Sequence, residues 1–118
     1  MNHSLILVVD DDPGIRETVT EFLELEGYPV RTARDGAEAL EVIAHDPPAL
    51  VLLDMRMPVM DGWTFAHEVE RRGLSLQIVV MTAAQDARRW CDEIHAQDCL
   101  SKPFDLPDLL KTVERFAA

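Results

Sequence analysis

Apolar runs and helical patterns alternate five times along this chain. The apolar runs lie near residues 4–9, 28–33, 49–54, 76–82 and 98–101. Between and after them, apolar residues recur at helical spacing near residues 13–26, 36–45, 62–72, 86–96 and 106–117. Strands that alternate with helices through short connections favour a parallel sheet covered on both faces. The pattern therefore predicts an α/β fold, a doubly wound five-stranded parallel sheet with five helices.

Punctuating residues support the helix limits. Gly27 and Gly73 each follow a helical pattern, where glycine readily adopts the left-handed conformation that ends a helix. Asp12-Pro13 is typical of a helix start, because aspartate is a favoured N-cap and proline is favoured at the first helical position. Asp12 is therefore interpreted as a cap, which leaves Asp10 and Asp11 as loop carboxylates.

Composition and charge narrow the class of protein. The 118 residues predict one domain, residues 1–118, and 47% hydrophobic with 28% charged residues is typical of a globular protein. The net charge of −11 argues against direct binding to nucleic acid or to an anionic membrane. The start of the chain is too short and uncharged for a signal peptide, and no apolar stretch approaches membrane-spanning length. We expect a cytoplasmic protein.

Two of the predicted strands end in carboxylates. The run LILVVDDD ends in Asp10, Asp11 and Asp12, and the run ALVLLD ends in Asp54. Parallel strands bring their carboxyl ends to one edge of the sheet, where open α/β sheets bind ligands. Crowded carboxylates repel one another and therefore demand a cation, so this edge predicts a site for a divalent metal.

A hydroxyl and an ammonium group complete the predicted cluster. The fourth strand ends in Thr82 and the fifth in Lys102. A metal ion and a cation can neutralise phosphoryl oxygens while a hydroxyl donates a hydrogen bond to them. A carboxylate can itself be the nucleophile that takes up the phosphoryl group. These residue types together indicate phosphoryl transfer.

The chain resembles the response-regulator receiver domains of two-component signalling. The resemblance covers essentially the whole chain, from ILVVDD through LLDMRMPVMDG and VVMTA to LSKPF. It implies the flavodoxin-like receiver fold, in which a histidine kinase or phosphotransfer protein donates a phosphoryl group. It also implies that the domain is not an enzyme with an external substrate, since it catalyses only its own phosphorylation and dephosphorylation.

The resemblance also implies roles for individual residues at the metal. Asp54 would be the phospho-accepting nucleophile and a ligand of Mg²⁺, with Mn²⁺ as a possible substitute. Asp11 would bind the metal directly, and Asp10 would do so directly or through water. The backbone carbonyl of Arg56 would supply a further ligand.

Around the phosphoryl group, the resemblance implies a second group of roles. Thr82 would donate a hydrogen bond to it, and Lys102 would form an ion pair with it. The Lys102-Pro103 bond would be cis. Pro58 and Gly62 would shape the loop behind the nucleophile, where we expect Gly62 to adopt dihedral angles that other residues avoid.

The sequence departs from the family between Thr82 and Lys102. Cys99 stands where receivers usually carry a switch tyrosine or phenylalanine, and His95 stands where they usually carry glycine. The segment is also about two residues shorter than usual, in the β4–α4 loop or in the fourth helix. Trp90 lies in that helix, where it either packs or replaces the missing aromatic. We expect output through displacement of this segment.

Two other classes of function are open at this point. Asp10-Asp11-Asp12 also matches the D-x-D nucleophile of haloacid-dehalogenase-type enzymes, although that leaves Asp54 unexplained. The alternative without chemistry is an unphosphorylated interaction module. For a receiver domain, we expect docking of the kinase near Ile15 and Pro103-Phe104, and contact with a downstream protein target that the sequence does not identify.

Overall fold

The computed structural model describes residues 4–117 as ten elements in strict alternation of strand and helix. In chain order they are β1 (Ile6–Val9), α1 (Pro13–Leu25), β2 (Val30–Ala33), α2 (Gly36–His45), β3 (Leu50–Asp54), α3 (Gly62–Arg71), β4 (Gln77–Ala83), α4 (Ala84–Glu93), β5 (Asp98–Lys102) and α5 (Leu106–Ala117). Within the described range, none of the helices is long and apolar enough to cross a membrane.

All five strands form a single parallel sheet. Its strand order is β2-β1-β3-β4-β5, so the prediction of a doubly wound parallel sheet is confirmed. Every residue of β1 and β3 is buried, as expected for central strands covered on both faces. Successive side chains point to opposite faces, so Leu7 and Val9 join one apolar cluster while Ile6 and Val8 join another.

The helices divide unequally between the two faces. One cluster packs the sheet against Ile43 of α2, Phe65 of α3 and Trp90 of α4. The other packs it against Leu23 of α1 and Val113 of α5. The connections that follow β1 and β3 therefore leave these neighbouring strands toward opposite faces, and a crevice opens between their carboxyl ends.

The predicted cap of the first helix and the predicted glycine stops after the first and third helices are confirmed. The Asp12 carboxylate caps α1 by accepting the backbone N–H of Gly14 at 2.8 Å and that of Ile15 at 3.4 Å. Gly27 and Gly73 have φ of 93° and 67°, the left-handed conformation expected after α1 and α3. Local sequence therefore fixes where these helices begin and end.

The fourth helix lies earlier in the chain than the predicted residues 86–96. Strand β4 runs to Ala83 and α4 begins at Ala84, so no loop residue separates them. Ala83 provides no side-chain hydrogen bond to cap α4. No capping residue in the sequence therefore indicates where this helix begins. The helix ends at Glu93, and His95 then takes a left-handed φ of 55°. That conformation suits glycine, the residue that His95 replaces.

Candidate functional site

Three carboxylates converge in the crevice at the carboxyl ends of β1 and β3. One carboxylate oxygen from each of Asp10, Asp11 and Asp54 lies within 4.8 Å of the other two. Asp10 is fully buried, Asp54 is 6% exposed and Asp11 is exposed to solvent. We call these three residues the acidic site.

The acidic site fits a hard divalent cation. Magnesium prefers carboxylate, carbonyl and water oxygens and is held in proteins by one or two carboxylates. Two buried carboxylates also need positive charge, since an ionised group removed from water is costly unless it is paired. The exposed position of Asp11 leaves one side of the site open to solvent, from which the ion and a phosphoryl donor can enter. The donor set and its charge therefore agree with the predicted Mg²⁺ site.

Lys102 supplies one positive charge to the acidic site. Its Nζ lies 2.7 Å from Asp10 Oδ2 and 3.6 Å from Asp54 Oδ2. The other Asp10 oxygen accepts the backbone N–H of Asp12 at 2.9 Å, so both oxygens of this buried carboxylate have partners. The Lys102-Pro103 peptide bond is cis, as the resemblance implied. Lys102 therefore reaches inward from the end of β5 and bridges two carboxylates.

Asp54 has an unusual proton affinity. Its burial, and next the nearby charge of Asp10, raise its pKa to about 6, although Lys102 and the backbone N–H of Arg56 act in the opposite direction. That N–H donates to Asp54 Oδ1 at 3.4 Å. A carboxylate with this pKa is mostly ionised at neutral pH, as a nucleophile must be.

Thr82 is brought beside Asp54 by the sheet register. Asp54 pairs with Met81 of β4, so Thr82 lies one residue further toward the carboxyl edge. Thr82 in turn pairs with Ser101, the residue before Lys102. The threonine is 3% exposed. All five predicted side chains therefore meet at one edge of the sheet, and Arg56 follows Asp54 in the adjoining loop.

The expected reason for a glycine at position 62 is wrong. Gly62 is not in the left-handed region but is the first residue of α3. A Cβ atom there would lie 2.5 Å from Met55 Sδ and 2.8 Å from Met55 Cα. Close approach of the helix to the residue after Asp54 therefore requires glycine. The strained dihedral lies instead at Val59, which is 86% exposed and has φ of 66°.

Arg16 is a site residue that the sequence analysis missed. Its Nη1 donates to the backbone carbonyl of Asp10 at 2.8 Å, which fixes the turn that leads from β1 to the acidic site. The only signal in the sequence is a basic residue in the first turn of α1, which is common on exposed helix faces. Only the packing of α1 against β1 reveals this contact.

An apolar groove lies next to Lys102. It has a volume of about 410 Å³ and is lined by Ile15, Val19, Ala83, Lys102, Pro103 and Phe104. It includes the three residues that were predicted to receive a kinase. The structure therefore places a recessed apolar surface directly beside the charged site.

Comparison with known proteins identifies the family. The sequence model described as "Response regulator receiver domain" matches residues 6–114. The chain is 42% identical over 107 residues to the response regulator MprA of Mycolicibacterium vanbaalenii. The alignment covers 89% of this chain and 46% of that protein. The chain thus spans about half the length of the curated relatives that it matches.

Solved structures agree in fold. The chemotaxis response regulator CheY4 of Vibrio cholerae is 32% identical and superposes with a TM-score of 0.86, over 96% of this chain and 98% of that one. The receiver domain of NtrX from Brucella abortus is 33% identical with a TM-score of 0.85, over 93% and 95% of the two chains. These similarities favour a receiver domain over the dehalogenase-type enzyme that Asp10-Asp11-Asp12 left open.

Proposed function

Because this chain belongs to the response-regulator receiver domains of two-component signalling, we propose that Asp54 is its phosphoryl-accepting residue. The observation that carries the proposal is the position of Asp54 at the end of β3, between two further carboxylates and 3.6 Å from Lys102 Nζ. A carboxylate held in this way can attack phosphorus and form an acyl phosphate.

The chemistry proposed for this chain is a single displacement at phosphorus. One oxygen of ionised Asp54 forms the new bond to phosphorus, and the bond to the donor's leaving group breaks with its electron pair. Lys102 offers a cation and Thr82 a hydroxyl donor to the phosphoryl oxygens. Thr82 is buried and Lys102 is partly buried, and partial exclusion of water strengthens such contacts. Water later cleaves the acyl phosphate, so the domain acts only on itself.

A metal ion belongs to the proposal. Mg²⁺, with Mn²⁺ as a substitute, would be held by Asp11, by Asp54, by Asp10 directly or through water, and by the backbone carbonyl of Arg56. When bound, it supplies the charge neutralisation that lets carboxylates and phosphoryl oxygens approach one another. Lys102 and the N–H of Asp12 hold the buried Asp10 carboxylate in place for this role.

The proposed phosphoryl donor is a histidine kinase or a phosphotransfer protein. We infer that it docks over the apolar groove, since Ile15 and Phe104 line an open recess next to Lys102. Apolar residues beside a charged site suit a transient interface, in which charge guides the encounter and apolar contact holds it. Residues 1–118 would act as one receiver domain, and its output would be contact with a downstream protein.

Labelling at Asp54 tests the proposed function. The protein is incubated with Mg²⁺ and a small acyl phosphate, and its intact mass is measured. We expect one added phosphoryl group on the unaltered chain and none on Asp54→Asn. Asp46→Asn is the matched control, because the Asp46 carboxylate forms an exposed ion pair with Arg31 away from the acidic site, and it should label normally. Undiminished labelling of Asp54→Asn would refute the assignment.

A further inference from the structure

Trp90 of α4 has contacts with two other parts of the chain. Its indole is 2% exposed, although α4 lies at the surface of the domain. The guanidinium carbon of Arg56 lies 4.8 Å from the centroid of the Trp90 ring. The Trp63 ring of α3 meets it edge-on, with centroids 4.8 Å apart and planes at 75°. Trp90 therefore joins the loop after β3 to helices α3 and α4.

Arg56 is the residue that connects this cluster to the acidic site. Its backbone N–H donates to Asp54 Oδ1 at 3.4 Å, while its side chain lies against Trp90. Among residues 4–117, no carboxylate lies within ion-pair distance of its guanidinium group. The ring is therefore the principal partner of that charge within the described chain, in a cation–π contact.

Neighbouring contacts hold the cluster in one arrangement. Trp63 Nε1 donates to Glu93 Oε2 at 2.8 Å, which ties α3 to the last turn of α4. Arg89 lies 5.8 Å from the same Trp90 ring, but it belongs to α4 and also contacts Asp86 at 3.3 Å. Arg89 and its two partners all belong to α4, so its contact with Trp90 does not connect the ring to the acidic site. Arg56 alone reaches the ring from the Asp54 loop.

We propose that Trp90 is a positioning residue for the acidic site, acting through the side chain of Arg56, and that the same contact carries changes at Asp54 to α4. This inference rests on the proposed function, because residue 56 matters only if ion or phosphoryl binding rearranges the loop after Asp54. Cys99 of β5 is a half-buried thiol and offers no ring for this purpose. The Arg56–Trp90 contact provides a different route between the acidic site and α4.

Linkage makes the inference quantitative. If binding at the acidic site strengthens the Arg56–Trp90 contact, then loss of that contact must weaken binding by the same factor. Arg56 is exposed, and a cation–π contact at an exposed site corresponds to about a twofold to fivefold change in affinity. We therefore expect Arg56→Met, which retains length but not charge, to weaken Mg²⁺ binding by that factor. Arg56→Lys should recover part of the loss.

Tryptophan fluorescence tests the inference. The chain has two tryptophans, so Trp63→Phe leaves Trp90 as the only reporter. Mg²⁺ alone, and then Mg²⁺ with beryllofluoride as a phosphoryl mimic, should change the Trp90 emission in this background. Adding Arg56→Met should abolish the change, Arg56→Lys should restore part of it, and Arg89→Met should leave it intact. Amide exchange of residues 84–93 in the unaltered chain provides a measurement that needs no substitution.

The outcomes separate this inference from the proposed function. An emission change that persists in Arg56→Met, or that is lost equally in Arg89→Met, overturns the coupling. The coupling is also overturned if Asp54 is labelled but neither the Trp90 emission nor the amide exchange of residues 84–93 changes. In that case the proposed function stands. Failure to label Asp54 while Mg²⁺ still moves Trp90 through Arg56 refutes the proposed function and retains the coupling to the metal site.

Discussion

Burial has opposite chemical consequences at the acidic site and at the α4–β5 face, which we define by Trp90, Cys91, His95 and Cys99. At the acidic site, burial and the charge of Asp10 raise the pKa of Asp54 only to about 6, so a reactive anion remains at neutral pH. At the α4–β5 face, burial raises the pKa of the Cys91 thiol to about 11. This thiol stays protonated and packs as an apolar group. Burial therefore leaves an anion at the acidic site and a neutral, packed thiol at the α4–β5 face.

The two regions also differ in how their side chains are positioned. Strand register places Asp54, Thr82 and Lys102, because each lies at or next to the carboxyl end of a strand in one parallel sheet. Contacts between separate elements place Trp90, which meets Arg56 from a loop and Trp63 from another helix. Changes at the acidic site should therefore act first on metal binding and labelling, and changes at the α4–β5 face should act first on folding, apart from the proposed effect of Trp90 through Arg56.

The largest effect expected is on metal binding in Asp11→Ala. Asp11 is exposed, so its loss should leave the fold intact while removing a proposed direct ligand. We expect Mg²⁺ to bind about 100-fold more weakly, a loss of roughly 3 kcal/mol. Calorimetric titration with Mg²⁺ measures this. Glu17→Ala, which removes an equal charge from the exposed surface of α1, should change the affinity less than twofold. Equal losses of Mg²⁺ affinity in both variants would mean that Asp11 acts only through its negative charge and is not a direct ligand.

The second effect is a pH-dependent gain of stability in Asp54→Asn without metal. The folded pKa of Asp54 is raised from 3.8 to about 6, so the folded state binds its proton more tightly than the unfolded state. The unaltered protein therefore loses stability as pH rises through that window, and it lacks that stability at higher pH. Asparagine does not titrate, so the variant should be more stable by about 3 kcal/mol above pH ~6.

Urea unfolding in the presence of a chelator measures the difference. The advantage of Asp54→Asn should shrink as the pH falls from ~7 toward ~3, below both pKa values, where Asp54 of the unaltered protein is mostly protonated in both states. Asp46→Asn should show no such trend, since its carboxylate is exposed and lies away from the acidic site. An advantage of the same size at both pH values would contradict the raised pKa.

The sequence allowed the acidic site to be predicted almost completely, for a physical reason. Carboxylates at the ends of apolar runs need only a parallel sheet to meet, and alternation of strands and helices predicts that sheet. By contrast, Arg16 and the side chain of Arg56 contact residues on other elements at angles set by helix packing. The start of α4 was misplaced because Ala83 passes directly into the helix without a capping side chain. The reason for glycine at position 62 could not be predicted, because it depends on the close approach of Met55, which is seven residues away in sequence and is brought near by tertiary packing.

The third effect concerns the apolar groove beside Lys102 and is expected in Ile15→Ala. Ile15 lines the groove beside Lys102 but does not contact the acidic site in any hydrogen bond or ion pair described for residues 4–117. Removing its apolar side chain should slow phosphotransfer from a histidine kinase that labels Asp54 by about tenfold. Labelling by a small acyl phosphate should be unchanged, because that donor needs no docking surface.

Leu25→Ala is the control for docking. Leu25 is 85% exposed at the far end of the same helix and loses a side chain of the same size. Its phosphotransfer rates should match those of the unaltered protein with both donors. Equal slowing of Ile15→Ala with the kinase and with the small donor would point to damage at the acidic site instead of lost docking.

The smallest effect isolates backbone strain at the α4–β5 face. His95 has a left-handed φ of 55°, which costs a residue with a Cβ atom about 1 kcal/mol and glycine almost nothing. Glycine also gains freedom in the unfolded chain, so His95→Gly should raise the free energy of unfolding by only ~0.5 kcal/mol. His67→Gly makes the same substitution inside α3, where it should instead cost ~1 kcal/mol. Urea unfolding measures both changes.

The two substitutions should change the free energy of unfolding in opposite directions and leave the Mg²⁺ affinity unchanged. That result would establish that the left-handed turn after α4 affects folding and not metal binding. Destabilisation by both substitutions would mean that the imidazole of His95 contributes contacts that outweigh its backbone strain.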